Sequence, residues 1–212
     1  MNEVPSAELA ETSRRRGRPV SQRSRAAALA AAREILLQRG FGGMTVDEVA
    51  RRSGVSKATI YKHWPDGFRL AVEAFGDTVT DAVPTIDTGD ALGDLHDQFV
   101  RLAAFYASPH GRIATELIAA AITKPDGPAA VRERFFGRRR RATGVLIEHG
   151  KRAGQIRDDV DTELIIDLLF GPIIFRLFNG LGALDTDQAH AIAPVVVGAV
   201  ALPALRPARW TG

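Results

Sequence analysis

TVDEVARRSGVSKATIYKHW, residues Thr45–Trp64, reads as two short helices joined by a tight turn. Thr45 carries a hydroxyl able to cap the first helix, and Glu48, three residues on, has the spacing of a capping box. Val46, Val49 and Ala50 form its apolar stripe. Gly54 can take the left-handed conformation that closes a helix. Val55 is then expected to drop into the core, and Ser56 to cap a second helix that turns Ile60 and Trp64 inward. Between those anchors stand Lys57, Ala58, Thr59, Tyr61, Lys62 and His63, all able to meet a phosphate or a base edge. This is the layout of a helix-turn-helix with its recognition helix. Taken alone it also fits an ordinary helical hairpin with a solvated basic face.

The flanking charge separates those two readings. Residues 1–64 carry twelve Arg and Lys against six Asp and Glu, whereas residues 65–212 carry sixteen against nineteen. A basic amino-terminal third on a mildly acidic body points to a polyanionic partner for the former. Hydrophobic residues make up 45% of the 212, enough for one medium domain or two small ones. With no cysteine, disulfides, thiolate catalysis and zinc-finger sites are excluded. Residues 1–25 lack the apolar core of a signal peptide. The nearly apolar run Ile192–Leu205 is interrupted by Pro194 and Pro203 and is too short to span a bilayer. The expectation is a soluble, cytoplasmic protein with no membrane association.

Outward from the central segment, residues 1–20 read as a flexible arm containing RRRGRP at Arg14–Pro19. A helix is expected from about Ser21 to Arg39, with Ala28, Ala32, Ile35 and Leu36 near helical spacing and Gly40 and Gly42-Gly43 ending it. Phe41 is placed to plug the small core. Pro65-Asp66 marks a turn, and a helix over about 66–83 follows. After a linker from Pro84 to Asp90, further helices are expected at about 91–107, 111–123, 128–152, 161–181 and 187–205. β-branched residues nowhere alternate over a convincing strand. The fold class is all-α, divided into the arm (1–20), a three-helix helix-turn-helix domain (21–66) and a larger helical domain for ligand binding and dimerisation (67–212).

With RRRGRP, the helix ending LLQRGF and MTVDEVARRSGVSKATIYKHWP, residues 14–75 resemble the TetR family of bacterial transcriptional regulators. The second half is similar in plan, and DLLFGPIIFRLFN (Asp167–Asn179) resembles the carboxy-terminal domain of one subgroup. The resemblance implies a homodimer, a palindromic double-stranded DNA operator and, usually, a small-molecule inducer that releases a repressor. One departure stands out. Where many members carry a Ser-Lys pair, this chain has Asp66-Gly67, so the phosphate contact of that Lys is absent or supplied elsewhere.

Thr45 and Ser56 sit at helix N-termini, where hydroxyls and free backbone N–H groups suit a phosphate. Tyr61 and His63 are phosphate or sugar contacts by resemblance. Lys57, Ala58 and Thr59 are the candidates for base readout: Lys57 toward guanine acceptors, Ala58 and Thr59 toward a thymine methyl. Lys62 reads equally as a base contact or as solvent-facing. Arg16-Gly17-Arg18-Pro19 resembles the core of an AT-hook, whose arginines enter a narrow minor groove. The alternative is a basic tail that only adds counterion release.

In the acidic body, Leu164, Ile165, Leu168, Leu169, Ile173, Ile174, Leu177 and Phe178 make one helix apolar on more than one face. Together with the helix carrying Val196 and Val200 it is expected to form a four-helix dimer interface through Leu164, Leu168, Ile173, Leu177, Val196 and Val200. By resemblance, Phe99, Tyr106, His110, Phe135, Phe170 and Phe175 surround the ligand pocket, although an aromatic at helical spacing also fits plain core. Arg138–Arg141 are expected to be solvated or to bridge to Asp158, Asp159 or Asp161, with an anionic-ligand or DNA role as the alternative. The five histidines show no metal-ligand spacing, and there is no phosphate loop or nucleophile elbow. Neither a metal, a cofactor nor an enzymatic activity is expected. The remaining alternative is a dimeric architectural DNA-binding protein without an inducer.

Overall fold

A computed structural model describes residues 17–202, with side chains from Ser21 onward. Among these residues every named element is helical. The chain divides into two compact units, Met1–Ala74 and Phe75–Gly212.

The first unit opens with α1 (Gly17–Arg39), four residues earlier than the expected Ser21. Pro19 is tolerated there because first-turn N–H groups have no intrahelical partner. Ala28, Ala32, Ile35 and Leu36 are fully buried, and this stripe meets α2 (Val46–Ser53) and α3 (Lys57–His63). Val49, Ile60 and Trp64 close the small core from the other side. Burying a side chain such as Ile60 stabilises by about 1.5–3 kcal/mol. Val55, expected in the core, is only half-buried. The chain then enters α4 (Gly67–Ala82), inside which the boundary between the units falls. Phe68 meets Phe41 edge-on, with ring centroids 6.1 Å apart.

In the second unit, α5 (Ala91–Ala107) packs against α6 (Pro109–Ile122), α8 (Arg138–Arg152), α9 (Thr162–Phe178) and α10 (Thr186–Val200). Leu95, Phe99 and Leu102 of α5 are fully buried. The helix expected over 128–152 is built in three parts: α7 (Gly127–Val131), a π-helical stretch Arg132–Gly137, and α8. Each π turn takes in one more residue than an α turn, so the phase of the following side chains shifts. At Gly150 any Cβ would come within 2.7 Å of Ala91 and Ile156 side-chain atoms, so α8 and the start of α5 approach closely only without one. After α8 the chain doubles back. Arg157 N donates to Val200 O at 3.0 Å and Leu202 N to Gln155 O at 3.0 Å, tying the end of α10 to this loop.

Candidate functional site

The turn between α2 and α3 is built from local signals. Thr45 Oγ1 accepts from Glu48 N at 3.2 Å, Ser56 Oγ from Thr59 N at 3.2 Å, and Gly54 closes α2 at φ +67°. The reciprocal half of the expected capping box is not made, because the Glu48 carboxylate turns to the cations one turn on. It accepts from Arg51 Nη2 at 2.7 Å and from Arg52 Nε at 2.8 Å. These two hydrogen bonds, Arg51 first, lower the Glu48 carboxyl from 4.5 to about 2. Arg52 also donates to Gln38 Oε1 at 2.8 Å, linking α2 to α1.

Ile60 anchors α3, so its opposite face is open. Lys57, Ala58, Tyr61 and Lys62 are exposed, Tyr61 by 53%, while Thr59 and His63 are half-buried. The Thr59 hydroxyl shares a 2.9 Å hydrogen bond with Ser56, and His63 Nε2 lies 3.4 Å from Ser21 Oγ. The Lys57 ammonium is paired with Asp47, whose carboxylate hydrogen bond raises its pKa. Both partners are well exposed, so the pair is weak and readily exchanged for a phosphate or a guanine.

The carboxy-terminal end of α3 is locked from behind. Trp64 Nε1 donates to Glu73 Oε2 at 2.9 Å, Glu73 also pairs with Arg25, and the Arg25 guanidinium lies 5.8 Å from the Trp64 ring centroid. Asp66 takes the helix-capping role, its Oδ1 accepting from Arg69 N at 2.7 Å. Beside it Gly67 is spare room: an added Cβ would meet only Val46 at 3.5 Å and Met44 at 3.9 Å. In the basic arm, Arg16 lies outside the described residues, as does the side chain of Arg18.

The aromatic residues expected around a pocket separate into three groups. Phe99 and Phe135 are fully buried core, and Phe135 packs on Phe75 with centroids 6.4 Å apart. His110 is exposed and stacks on Phe75 at 6.3 Å, and Phe175 is 61% exposed on the outside of α9. Phe170 does line a cavity, of about 310 Å³, with Phe136, Arg139, Thr143, Ile166 and Ile174. Phe136 was missed from sequence because it lies within the π stretch, where side chains do not keep an α-helical phase.

The four consecutive arginines are also not equivalent, which corrects the expectation of a solvated run or bridges to Asp158, Asp159 or Asp161. Arg140 donates through Nε to Glu163 Oε2 at 2.9 Å and through Nη1 to Asp167 Oδ1 at 2.8 Å. Asp159 is taken by Arg157. Arg139 is buried, only 6% exposed, with its guanidinium 5.8 Å from the Phe136 ring centroid and 6.0 Å from that of Phe170. Tyr106 Oη is close enough to influence it, yet the two make no hydrogen bond of sound geometry. Burial raises the Tyr106 pKa and lowers that of Arg139.

Of the residues expected at a dimer interface, Leu164 and Leu168 are exposed and Leu177 is half-buried. Ile173, Val196 and Val200 turn instead into the core of their own unit. The open apolar stripe of α9 is Leu164, Leu168, Phe175 and Phe178, at i, i+4, i+11 and i+14, and Val195 is exposed on α10. No described helix is long and apolar enough to cross a membrane.

Residues 28–66 match the family described as bacterial regulatory proteins, tetR family, and residues 85–196 match the tetracyclin repressor-like C-terminal domain. The chain is 40% identical over 163 residues to YdeS, an uncharacterised HTH-type transcriptional regulator of Bacillus subtilis (strain 168), covering 77% of this chain and 82% of that protein. It is 27% identical over 165 residues to the HTH-type regulator AqdR of Rhodococcus erythropolis, covering 76% and 78% respectively. Among solved structures, the TetR family transcription regulator SCO0332 superimposes with TM-score 0.71 at 37% identity, over 84% of this chain and 98% of that one. Full-length TylP from Streptomyces fradiae shares the fold at 21% identity, with TM-score 0.60 over 87% of this chain and 90% of that one. Together with the exposed α3, these likenesses define a DNA-binding transcriptional regulator of the helix-turn-helix type rather than an enzyme. The chain belongs to the TetR family, whose members bind DNA operators and are typically dimeric.

Proposed function

We propose that this chain is a homodimeric repressor that occupies a palindromic operator and leaves it when a small molecule enters the cavity beside Phe170. The observation that carries the reading is the open face of α3, where four side chains project from a helix fixed on its other side by Ile60 and locked at its end by Trp64. Lys57, Ala58 and Thr59 are assigned to base edges, and Thr45, Ser56, Tyr61 and His63 to phosphate or sugar, with Lys62 at the border of the two. The stripe Leu164–Phe178 supports pairing of two copies through α9 and α10, which would set two recognition helices on half-sites about 34–36 Å apart. Arg16 and Arg18 are assigned to the adjacent minor groove.

Selection of bound fragments from random duplex DNA tests this directly. The expected product is an inverted repeat protected on both half-sites, and a reporter gene carrying it should be silenced by the protein and restored by the effector. Binding with no preference for any palindrome, and with no small molecule able to release it, would favour an architectural role instead.

A further inference from the structure

The buried Arg139 is used neither by the fold nor by the DNA-binding surface. Its Nη1 is out of contact with solvent and has no hydrogen-bond partner, and the Tyr106 hydroxyl near it is likewise unsatisfied. Buried arginines are normally paired, since an uncompensated charge in a low-dielectric interior is strongly unfavourable. The nearest acids on α9, Glu163 and Asp167, are both taken by Arg140. Phe136 and Phe170 flank the guanidinium with their rings, an arrangement that holds a cation without supplying a counter-charge. Arg139 also lines the cavity that these two rings share with Ile166 and Ile174.

We infer that this cavity takes an apolar or aromatic monoanion, a carboxylate in the first instance, whose charged group is bound by Arg139 while its body rests on Phe136, Phe170, Ile166 and Ile174. The preference for a single charge follows from which guanidinium of the lining lacks a carboxylate partner. Arg140 and Asp167 also line the cavity, and Arg140 is shared by two carboxylates, Asp167 and Glu163. Arg139 is therefore the lining cation without a carboxylate partner, and the acid excess beside it disfavours a dianionic phosphate. The planar guanidinium edge matches a carboxylate. The volume, about 310 Å³, suits a small molecule and not a peptide. This inference rests on the effector reading above and names the chemical class.

The test uses the full-length protein with 4-phenylbutyrate and octanoate, each beside its primary amide, and with inorganic phosphate, all followed by calorimetry. At least one carboxylate should bind ten-fold or more tightly than its amide, with no binding of phosphate. Arg139→Met, which keeps the apolar stem, should abolish the preference, and Arg139→Lys should retain part of it. Arg139→Met should also raise the melting temperature of the free protein, whereas a purely structural arginine would lower it. Equal binding of acid and amide, no carboxylate binding, or an undiminished preference in Arg139→Met overturns the assignment. A carboxylate that binds through Arg139 but leaves operator affinity unchanged overturns the inducer reading and leaves this one standing. Release by a neutral compound alone does the reverse.

Discussion

Lys57 stands at the first position of α3, paired with Asp47 across the turn. Because that pair is exposed and weak, DNA can displace it, and the ammonium is then free to read a guanine. Lys57→Ala is expected to lose about 1–3 kcal/mol of discrimination at one operator position, measured by competition between the selected site and single-base variants. A uniform loss over all sequences would make Lys57 a phosphate contact. Gly67 offers the converse experiment. Its surroundings accommodate a Cβ, and Asp66 already caps α4, so Gly67→Lys should fold normally. It should steepen the slope of log affinity against log salt by about one counterion, as expected for one added phosphate contact. Both positions were legible in the sequence because they belong to a short motif whose geometry is set by its neighbours. Arg139 was not. Four consecutive cations look alike in one dimension, and only the packing of α8 against α9 decides which of them is buried.

α2 depends on its own internal acid. Glu48 holds Arg51 and Arg52 together, and its folded-state carboxyl titrates at about 2 against an ordinary 4.5. A carboxyl lowered on folding contributes stability that is complete above its unfolded value and is lost as pH falls through the folded one. The melting temperature of the wild-type protein should therefore drop between about pH 5 and pH 2, and Glu48→Gln should flatten that part of the profile followed by circular dichroism. High salt should weaken only part of the effect, because Arg51 faces solvent whereas Arg52 and Glu48 are largely covered. The boundaries of α2 and α3 were readable to the residue, since Thr45, Gly54 and Ser56 act over three or four positions. The face of α9 that looks inward was not readable. Apolar residues surround that helix, so periodicity carries no phase, and Ile173 and Phe175 exchanged their expected roles. The π stretch Arg132–Gly137 had no signal at all, because nothing in RERFFG distinguishes an i→i+5 turn from an i→i+4 one.

A seven-residue reading helix spans one half-site, and the proposed dimer supplies the second. The exposed residues Leu164, Leu168, Phe175 and Phe178 lie on one side of α9, and contiguous apolar surface of this kind marks an association site. A Leu168→Glu/Phe175→Asp variant is expected to keep its helicity, since neither side chain is buried, and to sediment as a monomer. Its operator affinity should fall by roughly 10²–10⁴-fold, the gain that joining two binding modules supplies. A variant that remained a dimer would place the interface on another surface. The all-α class, the helix-turn-helix and the family were legible from the chain as a whole, because charge asymmetry, caps and helical spacing all agree.

Trp64 has one further consequence, and it is optical. The indole is buried at the end of the recognition helix, with its N–H on Glu73 and the Arg25 cation near its ring. The chain has only one other tryptophan, Trp210. With Trp210 replaced by phenylalanine, the colour and intensity of the remaining fluorescence become a built-in gauge of whether α1, α3 and α4 stay clasped as DNA arrives and departs.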